Sequence, residues 1–301
     1  MFEEARPEEI LFVSEKDPAP EAAGEISEAK ALLPGRGFRV SCLQAESGEE
    51  LRQALSGLAP CRRLLLADSA AFLGILKKEG LAAAAWSHGG NREETFPGAD
   101  YILQEPGWID EDSWNKIYQR LIGKPWKILE TERTLVREFV PEDLEAIYSL
   151  YDEEALRFLE PPGPDRDREK KILEAYIQKI YGLFGFGHWA VLEKETGELI
   201  GRMGFEAPTG QMAERLGADA MFGYLTAASA RRKGLTGEVL PALLAYGDAM
   251  LGFGLVGAEA DRDNTVSIRL LEKTGFAPKC REGDKIFFVR KNPLQRNEAG
   301  I

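Results

Sequence analysis

The residues best placed to do chemistry lie in one short stretch, Tyr224-Leu225-Thr226-Ala227-Ala228-Ser229-Ala230-Arg231-Arg232-Lys233-Gly234-Leu235-Thr236-Gly237-Glu238. Its pattern predicts a strand that passes through a loop into a helix with a small, glycine-containing, basic first turn. The first turn of a helix leaves its N–H groups without intrahelical partners and carries partial positive charge. Glycines there let a ligand approach the backbone, so the turn suits a pyrophosphate. The three consecutive cations Arg231, Arg232 and Lys233 stand in a chain of net charge −12. A local positive field in an acidic protein points to a specific anion. A nucleoside-triphosphate P-loop is excluded, because Leu235 follows Lys233-Gly234 where that motif needs Ser or Thr.

The elements around this stretch follow from periodicity and turn residues. Residues 134–140 predict a strand, and Pro141-Glu142-Asp143 opens a helix running to Tyr151. A loop with three prolines, 160–164, precedes a helix over 167–181. Segments 189–193 and 199–205 flank Thr196-Gly197, a hairpin signal. A strand over 218–226, a helix over 235–250 and a strand over 256–260 come next. Asn264 caps a helix ending at Lys273 and Gly275, and the strand pair 276–281 and 285–290 closes the domain.

Arg231-x-x-Gly234-x-Thr236, Gly237-Glu238, Asn264-x-x-Ser267 and Leu271-Glu272-Lys273-Thr274-Gly275-Phe276, in that order and on those elements, resemble the GNAT N-acetyltransferase superfamily. They are most similar to the branch that includes ribosomal-protein alanine acetyltransferases. The resemblance covers about residues 132–291. It implies a mixed, splayed sheet with helices on both faces, an α+β domain. Acetyl-CoA would lie in the gap where the strand ending near Thr226 parts from the strand ending near Asp261. It further implies that backbone N–H groups of Arg232, Lys233, Gly234, Leu235, Thr236 and Gly237 receive the CoA pyrophosphate, with Arg231 and Arg232 as phosphate contacts. Backbone groups at Leu225 and Thr226 would hold the pantetheine arm and polarise the thioester carbonyl, and Asn264 would contact the cofactor or line the acceptor cleft.

Direct acyl transfer to a primary amine also needs a group to remove an ammonium proton, donors for the oxyanion and an acid for the thiolate. Relatives carry Glu on the fourth strand of the domain where this chain has Met221. Asp219, two residues earlier, is expected on the same side of the strand and is the candidate substitute. Where many relatives place a Tyr, this chain has Leu271, so Ser267 is the candidate donor to the thiolate. Glu206 at a strand end is a further candidate base, with Glu259 and Asp261 behind it. His188, beside Trp189 at a strand start, reads as structural. Tyr148, Tyr151 and Phe158 are candidates for an acceptor pocket. Thr236 stands where Gly or Ala is usual. The acceptor is expected to be an amine-bearing small molecule or a protein N-terminus. The alternative is a non-catalytic acyl-CoA-binding or sensing protein of the same fold.

The first 123 residues alternate strand and helix signals: 10–13, 38–43, 63–67, 81–86 and 101–103 as strands, with helices between them and a last helix over 112–122. That rhythm predicts a Rossmann-like α/β domain with a parallel sheet. Residues 124–131 read as a linker, 132–292 as the second domain and 293–301 as a tail. The segment Leu64-Leu65-Leu66-Ala67-Asp68-Ser69 resembles the later half of haloacid-dehalogenase-like phosphatases. After the first strand, however, Ser14-Glu15-Lys16-Asp17 stands where those enzymes need an Asp nucleophile and a second Asp two residues on. The domain is therefore read as degenerate and non-catalytic, serving binding, docking or homodimerisation. Gly252-Phe253-Gly254-Leu255-Val256-Gly257 spells GxGxxG but follows a helix and leads into a strand, the reverse of a dinucleotide site.

With 38 Lys+Arg against 50 Asp+Glu in 301 residues, general nucleic-acid binding is disfavoured, because that affinity rests on cations neutralising phosphates. Cys42, Cys61, Cys280, His88 and His188 show no metal-ligand spacing. No run approaches the roughly 18 apolar residues of a membrane span, and the first residues lack the pattern of a secretion signal. The expectation is a cytoplasmic protein.

Overall fold

The structure is a computed structural model, and it describes residues 5–16, 18–210 and 215–295. The chain divides into two compact units, residues 1–126 and 127–301. The last few residues expected as a tail, 296–301, lie outside the described part.

The first unit is a five-stranded sheet of order β2-β1-β3-β4-β5, parallel throughout. Its strands are β1 (Glu9–Glu15), β2 (Arg39–Ala45), β3 (Arg63–Ala67), β4 (Ala83–Trp86) and β5 (Ile102–Leu103). The helices are α1 (Pro20–Leu32), α2 (Gly48–Ser56), α3 (Ala70–Lys78) and α4 (Glu111–Leu121). Strands buried on both faces read as continuous apolar runs, and each run here divides its residues by parity. Ile10, Phe12, Leu64, Leu66, Ala84 and Trp86 pack with Ala22, Ile26, Trp114 and Ile117 of α1 and α4. Leu11, Val13, Leu65, Ala67, Ala83 and Ala85 pack with Leu51, Phe72, Leu73 and Leu76 of α2 and α3. Ser47 caps α2 by accepting from the Glu50 N–H at 3.2 Å. The Glu50 carboxylate reaches back to the Glu46 N–H, one residue beyond the Ser47 N–H that the capping box would use.

The second unit is an eight-stranded sheet of order β12-β13-β11-β10-β9-β8-β7-β6. It begins earlier than the sequence suggests. Residues 127–130 of the expected linker form β6 (Lys127–Glu130), which pairs antiparallel with β7 (Thr134–Arg137). A 3₁₀ turn at Pro141–Asp143 leads into the short helix α5 (Leu144–Ser149), and α6 (Arg166–Phe184) follows. The strands β8 (His188–Glu193), β9 (Leu199–Glu206) and β10 (Ala220–Thr226) lead to α7 (Leu235–Ala249). Then come β11 (Leu255–Asp261), α8 (Thr265–Lys273), β12 (Ala277–Glu282) and β13 (Lys285–Lys291). One face packs Trp189, Phe205, Phe222 and Ala258 against Val239, Leu243 and Leu271 of α7 and α8. On the other face Ala190 meets Phe139, Ile147 and Leu173 of the α5–α6 side.

The one parallel pair in this sheet is also its break. β10 and β11 share two rungs, Ala220↔Val256 and Met221↔Gly257. Beyond them, β10 is held by β9 as far as Thr226↔Gly201, and β11 by β13 as far as Asp261↔Lys285. Each strand keeps its outer partner, so both stay extended while their facing edges part. Backbone donors and acceptors along such edges must find another partner.

Candidate functional site

The parted edges open beside the N-terminus of α7. Gly234 is its N-cap, with a left-handed φ of 80°, and Arg232 also has a positive φ of 62°. A side chain at 234 would be strained there. Leu235 is buried in the core and anchors the first turn, while Gly237 on the exposed side has no heavy atom within 4 Å of a would-be Cβ. Arg133 braces the loop from outside. Its Nη1 donates to the Lys233 carbonyl at 3.0 Å, and its Nη2 pairs with Glu238 at 2.8 Å.

The three expected cations divide into two roles. Arg231 grips Asp152 with both terminal nitrogens at 2.7 and 2.9 Å, reaches Glu154 at 3.0 Å, and donates from Nε to the Thr226 carbonyl. The Asp152 contact raises the guanidinium's proton affinity and lowers the carboxyl of Asp152 in turn. Arg231 is therefore a structural clamp, which argues against its expected part in phosphate contact. Arg232 and Lys233 are exposed and make no ion pair among the described residues. Thr226 is buried, and its hydroxyl lies 3.1 Å from that of Thr236, so Thr236 tightens the loop against the end of β10. Leu225 is buried against Leu150 and Ala155.

Across the gap, Asn264 Oδ1 accepts from the Ser267 N–H and caps α8. That job occupies the side chain expected on the cofactor. The Ser267 hydroxyl meets the Tyr224 hydroxyl at 2.8 Å, joining β10 to α8. Burial pushes the Tyr224 phenol up, partly offset by the bond to Ser267. Tyr224 shares strand parity with Phe222 and Thr226 and so faces α7 and α8, and its bond to Ser267, 43 residues away, has no local signal.

Asp219 does not serve as a free carboxylate at the break. Its Oδ2 accepts from the N–H groups of Gly254 and Leu255 at 2.7 and 2.9 Å, fixing the entry to β11. Glu259 pairs with Lys285 at 3.3 Å, and Asp261 accepts from the Asp263 N–H. Tyr148 donates to the Gly163 carbonyl, and Phe158 is half-buried.

Glu206 sits in a different environment. In register, His188 lies opposite Gly204, and Gly204 lies opposite Gly223. Arg202 and Glu206 flank that row on the same face, at diagonal cross-strand positions. His188 Nδ1 lies 3.0 Å from Glu206 Oε1 and 3.0 Å from Arg202 Nη2. The Arg202 Nη1 reaches the Tyr151 hydroxyl at 3.4 Å. The backbone of His188 is gripped at both ends, its N–H accepted by the Tyr176 hydroxyl and its carbonyl receiving the Tyr181 hydroxyl, each at 2.6 Å. Burial pushes the Tyr176 phenol up to about 12 and pulls the His188 imidazole below its ordinary value. His188 read as structural from sequence because nothing local shows that Arg202 and Glu206 converge on it.

An Acetyltransferase (GNAT) domain model matches residues 133–277. The uncharacterized N-acetyltransferase YoaA of Bacillus subtilis (strain 168) is 32% identical over 153 residues, 50% of this chain and 82% of that protein. The uncharacterized N-acetyltransferase p20 of Bacillus licheniformis is 28% identical over 153 residues, 49% of this chain and 81% of that one. A solved ribosomal-protein-S5-alanine acetyltransferase from Vibrio fischeri superposes with a TM-score of 0.47 at 17% identity, over 56% of this chain and 98% of its own. The family model lies within the second unit, and the two relatives and the solved structure each cover about half of the chain.

Proposed function

The chain belongs to the GNAT acetyltransferase family, and on that premise we propose that it moves the acetyl group of acetyl-CoA to a primary amine by direct transfer. The observation that carries this reading is the two-rung ladder between β10 and β11 opening beside the left-handed Gly234 turn. The fit to the coenzyme is chemical. Unpaired first-turn amides and the exposed Arg232 and Lys233 suit a diphosphate, and an open strand edge suits an amide-bearing chain. In this reading the amides of 232–237 hold the diphosphate, and the β10 edge leading to Leu225 orients the arm. Bound there, the coenzyme supplies an activated acyl group on sulfur. Ser267, with Tyr224 behind it, stands ready to give a proton to the departing thiolate. The acceptor is an amine-bearing small molecule or a protein N-terminus.

No helix among the described residues is long and apolar enough to cross a membrane. Calorimetric titration with acetyl-CoA is expected to show one-site binding, weakened about tenfold in Lys233→Glu by charge reversal beside a phosphate. Thiol release with a panel of primary amines is expected to give turnover. Absence of binding at millimolar coenzyme would overturn the reading, and tight binding without transfer to any amine would favour a sensing role.

A further inference from the structure

His188 is buried to 6% exposure, and its Nε2 has no hydrogen-bond partner among the described residues. That nitrogen faces Gly223 on β10, where an added Cβ would lie 2.8 Å away. The other nitrogen has too many partners. The Arg202 guanidinium can only donate, and an ionised Glu206 can only accept. With both 3.0 Å from Nδ1, a neutral ring satisfies one of them and opposes the other. If the lone pair is on Nδ1, Arg202 is satisfied and the Glu206 oxygen abuts a second lone pair. One more proton on Nδ1 turns that contact into an imidazolium–carboxylate pair. Nδ1 can therefore exchange one partner for the other, giving up the Arg202 donor as it takes a proton from the Glu206 side, and the Glu206 side chain is 56% exposed. The other groups packed around the ring are the Tyr176 phenol on the backbone N–H and the Tyr181 phenol on the carbonyl; Gly223 on β10 brings no charge.

We propose that Glu206 and His188 form the proton-accepting pair for the acceptor amine, Glu206 meeting the ammonium and His188 holding the proton behind it. The inference rests on the acetyl-transfer reading above and adds its missing base. The ammonium N–H bond breaks, the proton passes through the Glu206 carboxylate, and an N–H bond forms at His188 Nδ1. One positive charge moves from amine to ring, and the amine nitrogen regains its lone pair. A ring with proton affinity depressed by burial then returns the proton through Glu206 to solvent. Glu206 is the catalytic residue here, and His188 is the positioning residue that acts through it.

The test uses the full chain with acetyl-CoA and two probe amines, spermidine and an alanine-initiated tetrapeptide, together with ¹⁵N NMR of the imidazoles. The chain has only two histidines, so one substitution assigns both. Expected for the wild type is a rate that is flat above about pH 7, as for a general base already deprotonated. Glu206→Gln is expected to lose about a hundredfold at pH 7 and to regain about tenfold per pH unit as free amine accumulates, with coenzyme affinity unchanged. His188→Gln is expected to show the same slope. If it does not fold, NMR decides, with His188 protonated at Nε2 in the wild type and titrating lower in Glu206→Gln. A flat profile and full rate in Glu206→Gln, or an unmoved His188 titration, overturns the proposal while coenzyme binding persists. Failure of the wild type to bind acetyl-CoA overturns the transfer reading and this proposal with it.

Discussion

The two sheets solve the same packing problem and differ in one respect. In the first, β1 keeps a seven-rung ladder with β2 and a five-rung ladder with β3, and helices cover both faces. In the second, the antiparallel ladders run from three rungs to seven, but the seven-residue strands β10 and β11 share two rungs, whereas the first sheet's two-rung pair β4–β5 is short because β5 is itself two residues long. A fully paired sheet has satisfied its backbone and offers a ligand only its loops. A sheet that parts leaves main-chain groups unspent next to side chains from β8, β9, β10 and α8. The polar atoms of the second unit gather there: Tyr224 and Ser267 on one face of the break, His188, Arg202 and Glu206 on the other.

The first sheet should respond as a packed core. Trp86 is fully buried against Phe12, and its indole N–H donates to Glu25 at 2.7 Å. Trp86→Ala is expected to cost about 3–5 kcal/mol in urea unfolding; a loss under 1 kcal/mol would deny that the parity-split core carries this unit. Asp68, at the end of β3, has its carboxyl pushed up to about 6 by burial, with Glu15 adding to the effect. Its folded value lies above the unfolded one, so the associated stability is complete below about pH 4 and is lost as pH rises through 6. Asp68→Asn is expected to stabilise the protein at pH 8 by about 1–2 kcal/mol, the shift being discounted for solvent screening of a half-buried group, and to change little at pH 4. Equal effects at both pH values would contradict a half-buried carboxyl whose ionisation its surroundings disfavour.

The second sheet should respond at its break. Gly234→Val forces a β-branched residue into φ of 80°. It is expected to cost about 1–3 kcal/mol of stability and to weaken acetyl-CoA binding about tenfold or more. Normal affinity would detach the α7 turn from the coenzyme. The smallest effect is expected from Thr236→Ala, which leaves the Thr226 hydroxyl buried without its 3.1 Å partner, a loss of about 1 kcal/mol seen in thermal unfolding.

Much of this architecture was legible in the sequence because it is periodic. The apolar runs at β1 and β3 announce strands covered on both sides, and Asn264 and Ser47 announce helix starts. The basic glycine turn located the break because backbone conformation and charge are local properties. What was not legible depends on partners distant in sequence. The turn's pattern marks Arg231 as a phosphate contact, and its ion pair to Asp152, 79 residues away, leaves no trace in that pattern. Asp219 matched a strand-face argument, yet its carboxylate turns to Gly254 and Leu255. Residues 127–130 lack strong alternation and became a strand because β7 offered them an edge. Arg202 and Glu206 converge on His188, and no spacing rule links the three.

The Arg231 clamp bears on how readily the turn can engage an anion. Its bonds to Asp152, Glu154 and the Thr226 carbonyl fix the approach to α7, while Arg133 fixes the other side of the loop. The conformational freedom of 231–234 is thus surrendered when the chain folds. A ligand arriving later meets a preorganised cradle and keeps more of its intrinsic affinity.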